Sequence, residues 1–425
     1  MMAKNSTIVI VALLLLHPFL TRAQAPQADS TLTYVAGEGI FIALGKADGA
    51  KFNLSAAVQS GIQYNRLDSA GGKYNSSRLS LNLLRMALSG SVFRDQVSFR
   101  LVTDFTGVTP ILEGWVGFNF KDKKSHLILG QKQTNTNNRL AMEDEKYAQV
   151  MGQSLAGKSN DGVVYGGLMQ NFVSSTREGG IFFDTKINAG QLKLYPSVSV
   201  TTGEGQNFFT SQPNLGFKYG GRLDILPLGD FVRNNAFIAH DIYREKKPKL
   251  AIGVAGSYNI KASSPAGTDN ALINGIYNKD GAADYANYRK IVADLIFKYT
   301  GFTLVGEYIN GTVKGKDLFT NAAATSRLTP ELAGNLYSLG DAVNVQSSYV
   351  FKTMWVIDGR YTKVTPEFNT AGSLVHDQNW YTVGVNKYFR YNAVRIGLNA
   401  TYLEDKTLSG STKKWLTNLA LQVQL

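Results

Sequence analysis

The sequence predicts an all-β fold: a transmembrane antiparallel β-barrel of about 16 strands with its third loop folded inward. Three observations predict it. Segments alternating apolar and polar residues recur from residue 52 to the end, the pattern of strands with one apolar and one wet face. Their connections alternate between short and long, the layout of outer-membrane barrels with short periplasmic turns and long extracellular loops. An export segment opens the chain, and no later stretch has the ~18 consecutive apolar residues of a transmembrane helix.

Residues 1–23 read as a signal peptide. Lys4 supplies the positive start, 8–16 is an apolar core too short to span a bilayer, and Thr21 and Ala23 are the small residues of a cut after Ala23. The chain has no Cys, which excludes a lipid anchor, disulfides and thiolate metal sites. Residues 24–50, rich in Ala and Gly, read as a periplasmic lead-in.

The barrel is expected over 51–425. Its first strand puts Phe52, Leu54, Ala56, Val58 and Ile62 on one face and Asn53, Ser55, Gln59 and Gln63 on the other. The next segments are 78–91, 96–105, 111–120 and 126–131. The phase of alternation changes near Leu83 and Leu84, which indicates a bulge. Then 132–177 breaks the pattern. It is polar, mixed in charge and too long for a turn, so it is expected to fold inward as a constriction loop. Within it, 162–168 also reads as a short strand. Strands resume at 179–188, 191–201, 217–226, 250–260, 288–299 and 302–313, then at 341–352, 355–364, 380–389, 393–404 and 414–425. One short-side connection, 228–249, is long enough for a small extra hairpin.

On several strands one face is wholly apolar: Ile291, Leu295 and Phe297 oppose Lys290, Asp294 and Lys298. A soluble sandwich alternates too, but with shorter strands. Many segments here reach the ~9–11 residues a tilted strand needs to cross a bilayer. Aromatic residues at strand ends (Tyr64, Phe105, Phe120, Tyr258, Tyr299, Trp355, Trp380, Phe389, Tyr402, Trp415) are expected as interfacial girdles.

Nothing points to catalysis. After residue 23 the only histidines are His126, His240 and His376, far apart and without metal-ligand spacing. Gly152 to Gly157 is one residue too long for a nucleophile elbow. No cofactor and no nucleic-acid partner is expected. The formal charge is +12, and removing Lys4 and Arg22 leaves +10. Alternation sends Arg78, Arg85, Arg100, Lys132, Lys193, Lys218, Arg222, Lys290, Lys298, Arg360 and Arg395 to the lumen. Asp104, Glu113, Asp184, Asp224, Asp294, Glu307 and Asp358 go with them. Each base could simply hold a neighbouring carboxylate. As a set they could attract anions, since rings of Arg and Lys in a low-dielectric wall do so.

At this point the chain resembles the phosphate-selective porin O/P family. The resemblance is carried by Ser77-Arg78-Leu79, by Arg85 to Gly90, by Val102 to Phe105, and by Leu129-Gly130-Gln131-Lys132. Thr201 to Gly205 and Gly221 to Gly229 continue it. It implies a 16-stranded barrel, usually a homotrimer, in the outer membrane of a Gram-negative bacterium of Bacteroidetes type. Lipid and lipopolysaccharide would surround it, and the third loop would enter the pore. Two features depart from the family: the last residue is Leu425 rather than an aromatic, and the insert mixes Arg139, Lys146 and Lys158 with Glu143, Asp144 and Glu145. The candidate anion-binding lining is therefore Arg78, Arg85, Arg100, Lys132, Arg139, Lys146, Lys158, Arg222, Lys298, Arg360 and Arg395. The expected function is passive diffusion of small polar or anionic solutes, with phosphate-like oxyanions among them. A non-selective pore is the first alternative. A non-conducting barrel whose loops 262–287 and 313–340 bind a partner is the second.

Overall fold

The alternation is realised strand by strand. On β13 (Asn287–Tyr299) Tyr288, Lys290, Val292, Asp294, Ile296 and Lys298 are buried, while Ile291, Leu295 and Tyr299 are exposed. A side chain every second residue on each face is what the pleat dictates. In the computed structural model this pattern closes into a barrel. The structure describes residues 30–425 except 46–48, 70, 107–110, 143–176, 206–215, 266–271, 316 and 409. The expected signal peptide 1–23, Lys146, Lys158, the acidic run 143–145, the glycines at 152 and 157 and the segment 162–168 therefore lie outside the described residues.

Two short strands come first, β1 (Ser30–Val35) and β2 (Gly39–Leu44). The wall then runs β3 (Ala50–Ser69), β4 (Gly72–Val92), β5 (Val97–Asp104), β6 (Ile111–Asn119) and β7 (His126–Gln133). β8 (Arg177–Asp184) and β9 (Ile187–Ala189) are one strand interrupted at Thr185 and Lys186, since both pair with β10 (Leu192–Thr201). The wall continues through β11 (Lys218–Leu226), β12 (Lys249–Asn259), β13, β14 (Phe302–Lys314) and β15 (Gly340–Val350). It ends with β16 (Trp355–Pro366), β17 (Asp377–Phe389), β18 (Val394–Thr407) and β19 (Gly410–Gln424). Each strand pairs antiparallel with the next, and β19 returns to β3, with Gln424 opposite Ala57 and Lys413 opposite Asp68. The result is a closed barrel of 16 strands. Closure removes the sheet edges, so the backbone of the wall strands pairs with neighbouring strands.

Residues 24–50, expected as a lead-in, carry the β1–β2 hairpin. β2 pairs with the first residues of β3, on the edge that β19 takes higher up. It prolongs the slot of β19 at the short-turn end, where Gln424 donates to the Gly37 carbonyl at 3.0 Å. The bulge is where the phase change indicated: Gln59 pairs with Leu83 but Ser60 with Leu81, leaving Asn82 extra. Strands β3 and β4 have 20 and 21 residues, about twice what a tilted crossing needs.

The outer face carries two aromatic rows. Tyr361, Tyr381, Tyr402 and Trp415 form one across four neighbouring strands, with ring centroids 5.1, 6.2 and 4.6 Å apart. Phe297, Phe302, Tyr349, Trp355 and Phe389 mark the other. From Tyr381 to Phe389 is eight residues, which at the rise and tilt of such strands spans about 20 Å of barrel height. Trp380 departs from the girdle expectation. It faces inward, fully buried against Leu403 and Leu416, and its indole N–H bonds Gln378. It lies one residue out of phase with Tyr381, which takes the outward place.

The connection 227–248 forms no hairpin. After the short 3₁₀ turn Val232–Phe237 it folds into the barrel. At the opposite end, 262–286 and 313–339 share a core of their own. In it Tyr337 donates to the Ala262 carbonyl and accepts the Ala286 N–H, both at 3.0 Å.

Candidate pore lining

Register places Asp224, Gly253 and Asp294 side by side on β11, β12 and β13. The middle position must be small: a Cβ on Gly253 would fall 1.9 Å from an Arg222 terminal nitrogen. Through this gap Arg222 reaches across β12 to Asp294 at 2.9 Å, while also pairing with Asp224 at 2.8 Å. Arg139, from the start of the insert, joins them. It donates to Asp294 at 2.9 Å and pairs with Asp224, with only 1 % of its surface exposed. Two guanidiniums and two carboxylates thus form one buried cluster. Planar forks of donors suit such a cluster.

The described start of the insert, 134–142, lies along the inner wall. Asn137 accepts Arg222 on its carbonyl at 3.2 Å and Lys290 on its side-chain oxygen at 2.8 Å. Asn135 donates to Ser197, and Asn138 to the Tyr308 carbonyl. Ala141 packs on inward-facing Ala255, Val292, Ile309, Ala342 and Val364. An apolar patch on the inside of a watery barrel needs such a cover, because apolar surface removed from water is stabilising.

Other bases hold the wall between β4 and β11. Arg85 pairs with Asp104 at 3.4 Å, and Lys218 with Glu178 at 2.6 Å. Arg100 and Arg177 flank Glu113 at 3.2 and 3.3 Å. The Lys132 ammonium sits over the Phe182 ring, 5.3 Å from its centre. On the far side, Arg78 donates to Gln63 at 3.0 Å and Arg395 to Gln422 at 3.1 Å. Arg360 is half-buried in the middle of β16, between Gln346 and Thr382 of the adjoining strands. Lys298, expected on the lining, is spent elsewhere. It is fully buried, and its three donors go to Asn235 Oδ1 and to the carbonyls of Ile238 and His240, at 2.8, 2.6 and 2.9 Å.

These three acceptors belong to the inward segment 231–245. Asp241 accepts the Gly301 N–H at 2.7 Å and the Asn235 amide at 2.7 Å. His240 is fully buried between Asp358, 2.8 Å from Nε2, and the Tyr388 hydroxyl, 2.7 Å from Nδ1. An ionised Asp358 only accepts, so Nε2 carries the proton and Nδ1 accepts from Tyr388. Burial pushes the imidazole pKa below its ordinary value, against the opposing pull of Asp358.

Of the residues expected on the lining, the structure brings Arg139 and Arg222 together on Asp224 and Asp294; Arg177, Asn137 and the segment 231–245 were not among those expected. A signal for that segment existed. Ala251, Ile296, Val305, Val350 and Val356 are apolar on the inward phase at the short-turn end. Between the insert start, the wall and the inward segment remains a cavity of about 280 Å³, lined by Lys132, Met142, Phe182, Arg222, Asp224 and Phe237 among others. Among the described residues no cluster of His, Asp and Glu could hold a metal ion.

No protein-family model matches the chain. No curated protein matches it either. Solved structures do. An anion-selective porin from Comamonas acidovorans superposes with TM-score 0.53 at 11 % identity, over 88 % of this chain and 100 % of that one. The outer membrane channel DcaP of Acinetobacter baumannii gives 0.51 at 12 %, over 88 % and 97 %. The trimer form of OmpT, an outer membrane protein of Vibrio cholerae, gives 0.50 at 12 %, over 89 % and 100 %. At these identities the likeness shows the fold, that of the outer-membrane porins.

Proposed function

We propose that this protein is an outer-membrane porin of a Gram-negative bacterium. It lets small hydrophilic solutes diffuse passively and favours anions. The observation that carries the reading is the reversal of polarity across the wall. Outside is an apolar band between two aromatic rows; inside are paired and stacked charges and amides. Such a wall encloses water within lipid. The anion preference is supported by the formal +10 of residues 24–425. The anion selectivity of the Comamonas porin supports it as well. Phosphate-like oxyanions are included, since Arg forks match them. The insert that follows β7, described from 134 to 142 against the inner wall, serves as the constriction, and the OmpT trimer form supports a homotrimer.

A second reading has its own observation. The loops 262–286 and 313–339 fold on a shared core, as a partner-binding cap would. Liposome swelling separates the two. Proteoliposomes should swell in small neutral sugars and faster in a sugar acid of similar size. Absence of swelling with correctly folded protein refutes the pore and favours the cap.

A further inference from the structure

The connection between β11 and β12 is the long one on an end otherwise closed by tight turns, and it runs back into the lumen. Its backbone is fixed there, because Lys298 on β13 fills its three oxygens and Asp241 takes the Gly301 N–H from the β13–β14 turn. Ala236 and Ala239 pack on the inner side chains of Ala251, Ile296 and Val305, and Ile238 and Ile242 pack on Val350 and Val356. Its tip reaches the insert: the Arg139 guanidinium stacks on Phe237, 5.8 Å from the ring centre, and Phe237 borders the 280 Å³ cavity together with Met142 of the insert. Its outer edge is tied to the β1–β2 turn by Arg233 and Glu38 at 2.9 Å.

We propose that 231–245 is a fixed sill inside the short-turn mouth that sets the size limit of the pore together with the insert, with Lys298 and Asp241 as its positioning residues. The proposal rests on the porin reading. A turn on this end needs only a few residues, yet this one covers the inner wall from β11 to β17. Whatever passes the Arg139–Arg222 cluster meets Phe237 next. Along the arc from β11 to β17 the lining of this mouth is then set by one segment rather than by the strands behind it.

The test replaces 231–245 by Gly-Ser and compares single-channel conductance with that of the intact protein. A larger step, and swelling in sugars that the intact protein excludes, is expected. An unchanged step and unchanged exclusion from a folded, heat-modifiable barrel overturns the proposal. If the intact protein gives no steps, the porin reading itself fails. Should the deletion not fold, Phe237→Cys provides a second test, since the chain has no other Cys. Charged thiol reagents should then lower the step in the open channel, and a folded F237C barrel that is labelled without loss of conductance overturns the proposal. Lys298→Met supplies the positioning readout. Hydrogen exchange over 231–245 should quicken while β3–β7 stays protected, and unchanged exchange removes Lys298 from that role.

Discussion

Arg139→Gln tests how the insert is seated. The wild-type side chain is buried between Asp224 and Asp294, and the substitution leaves those carboxylates to Arg222 alone. Removing one partner of a buried ion pair costs about 3–5 kcal/mol. Each 1.4 kcal/mol is tenfold in an equilibrium, so the seated population relative to the released one should fall by roughly 10²–10⁴. The holds that remain are the hydrogen bonds of Asn135, Asn137 and Asn138 with the wall and the packing of Ala141. The backbone amides of Ala141 and Met142 bond the Asn138 carbonyl at 3.0 and 3.2 Å in the seated insert. Hydrogen exchange by mass spectrometry on folded protein reads this directly. Peptides covering 134–142 should exchange about a hundredfold faster, in keeping with the smaller cost, while β12 and β13 are unaffected. Wild-type exchange in 134–142 would refute the reasoning, because the cluster would then not be what holds the insert.

Further outcomes follow from the same geometry. Gly253→Ala should drive Arg222 off Asp294, since a Cβ there overlaps its guanidinium, and should quicken exchange in 134–142 as Arg139→Gln does. Arg100, Lys132 and Arg222 changed together to Gln should lower the anion-to-cation permeability ratio severalfold, and an unchanged reversal potential removes them from the lining. His240 is held neutral in the fold by burial near Asp358, Tyr388, Lys298 and Arg395. Its folded pKa lies below the unfolded value of about 6.5, so the unfolded chain binds the proton first. The seat of 231–245 should therefore be firm above that pH and loosen as pH falls below it, read as exchange over the segment, with His240→Gln abolishing the dependence. Gly130→Ala should impair assembly. Gly130 has φ +131°, and a Cβ would meet the Gly114 carbonyl at 2.4 Å, so a normal yield of heat-modifiable barrel contradicts the need for glycine there.

The wall was legible because a strand's two faces face different media. Ile291 and Leu295 against Lys290 and Asp294 state the lipid and water sides without further information. The bulge at Asn82 was legible for the same reason, as a slip in phase. What alternation does not report is a cover. Ile296, Val305 and Val356 read as inward residues, but only the folded chain shows 231–245 lying over them. Lys298 was misread on that account. Its phase sent it inward, and an inward lysine looks like lining until its three acceptors are seen. Trp380 shows the opposite limit. Strand-end aromatics suit the interface, yet its neighbour Tyr381 holds the outward phase. The pairing of Arg222 with Asp294 depends on an empty place at Gly253, two strands being bridged across a third, and no local pattern encodes that.

The most direct test of the central claim is the zero-current potential of the purified protein in a planar bilayer under a KCl gradient. Discrete conductance steps with a reversal potential displaced toward the chloride equilibrium potential are predicted. Absence of steps, or displacement toward the potassium potential, would contradict an anion-preferring pore.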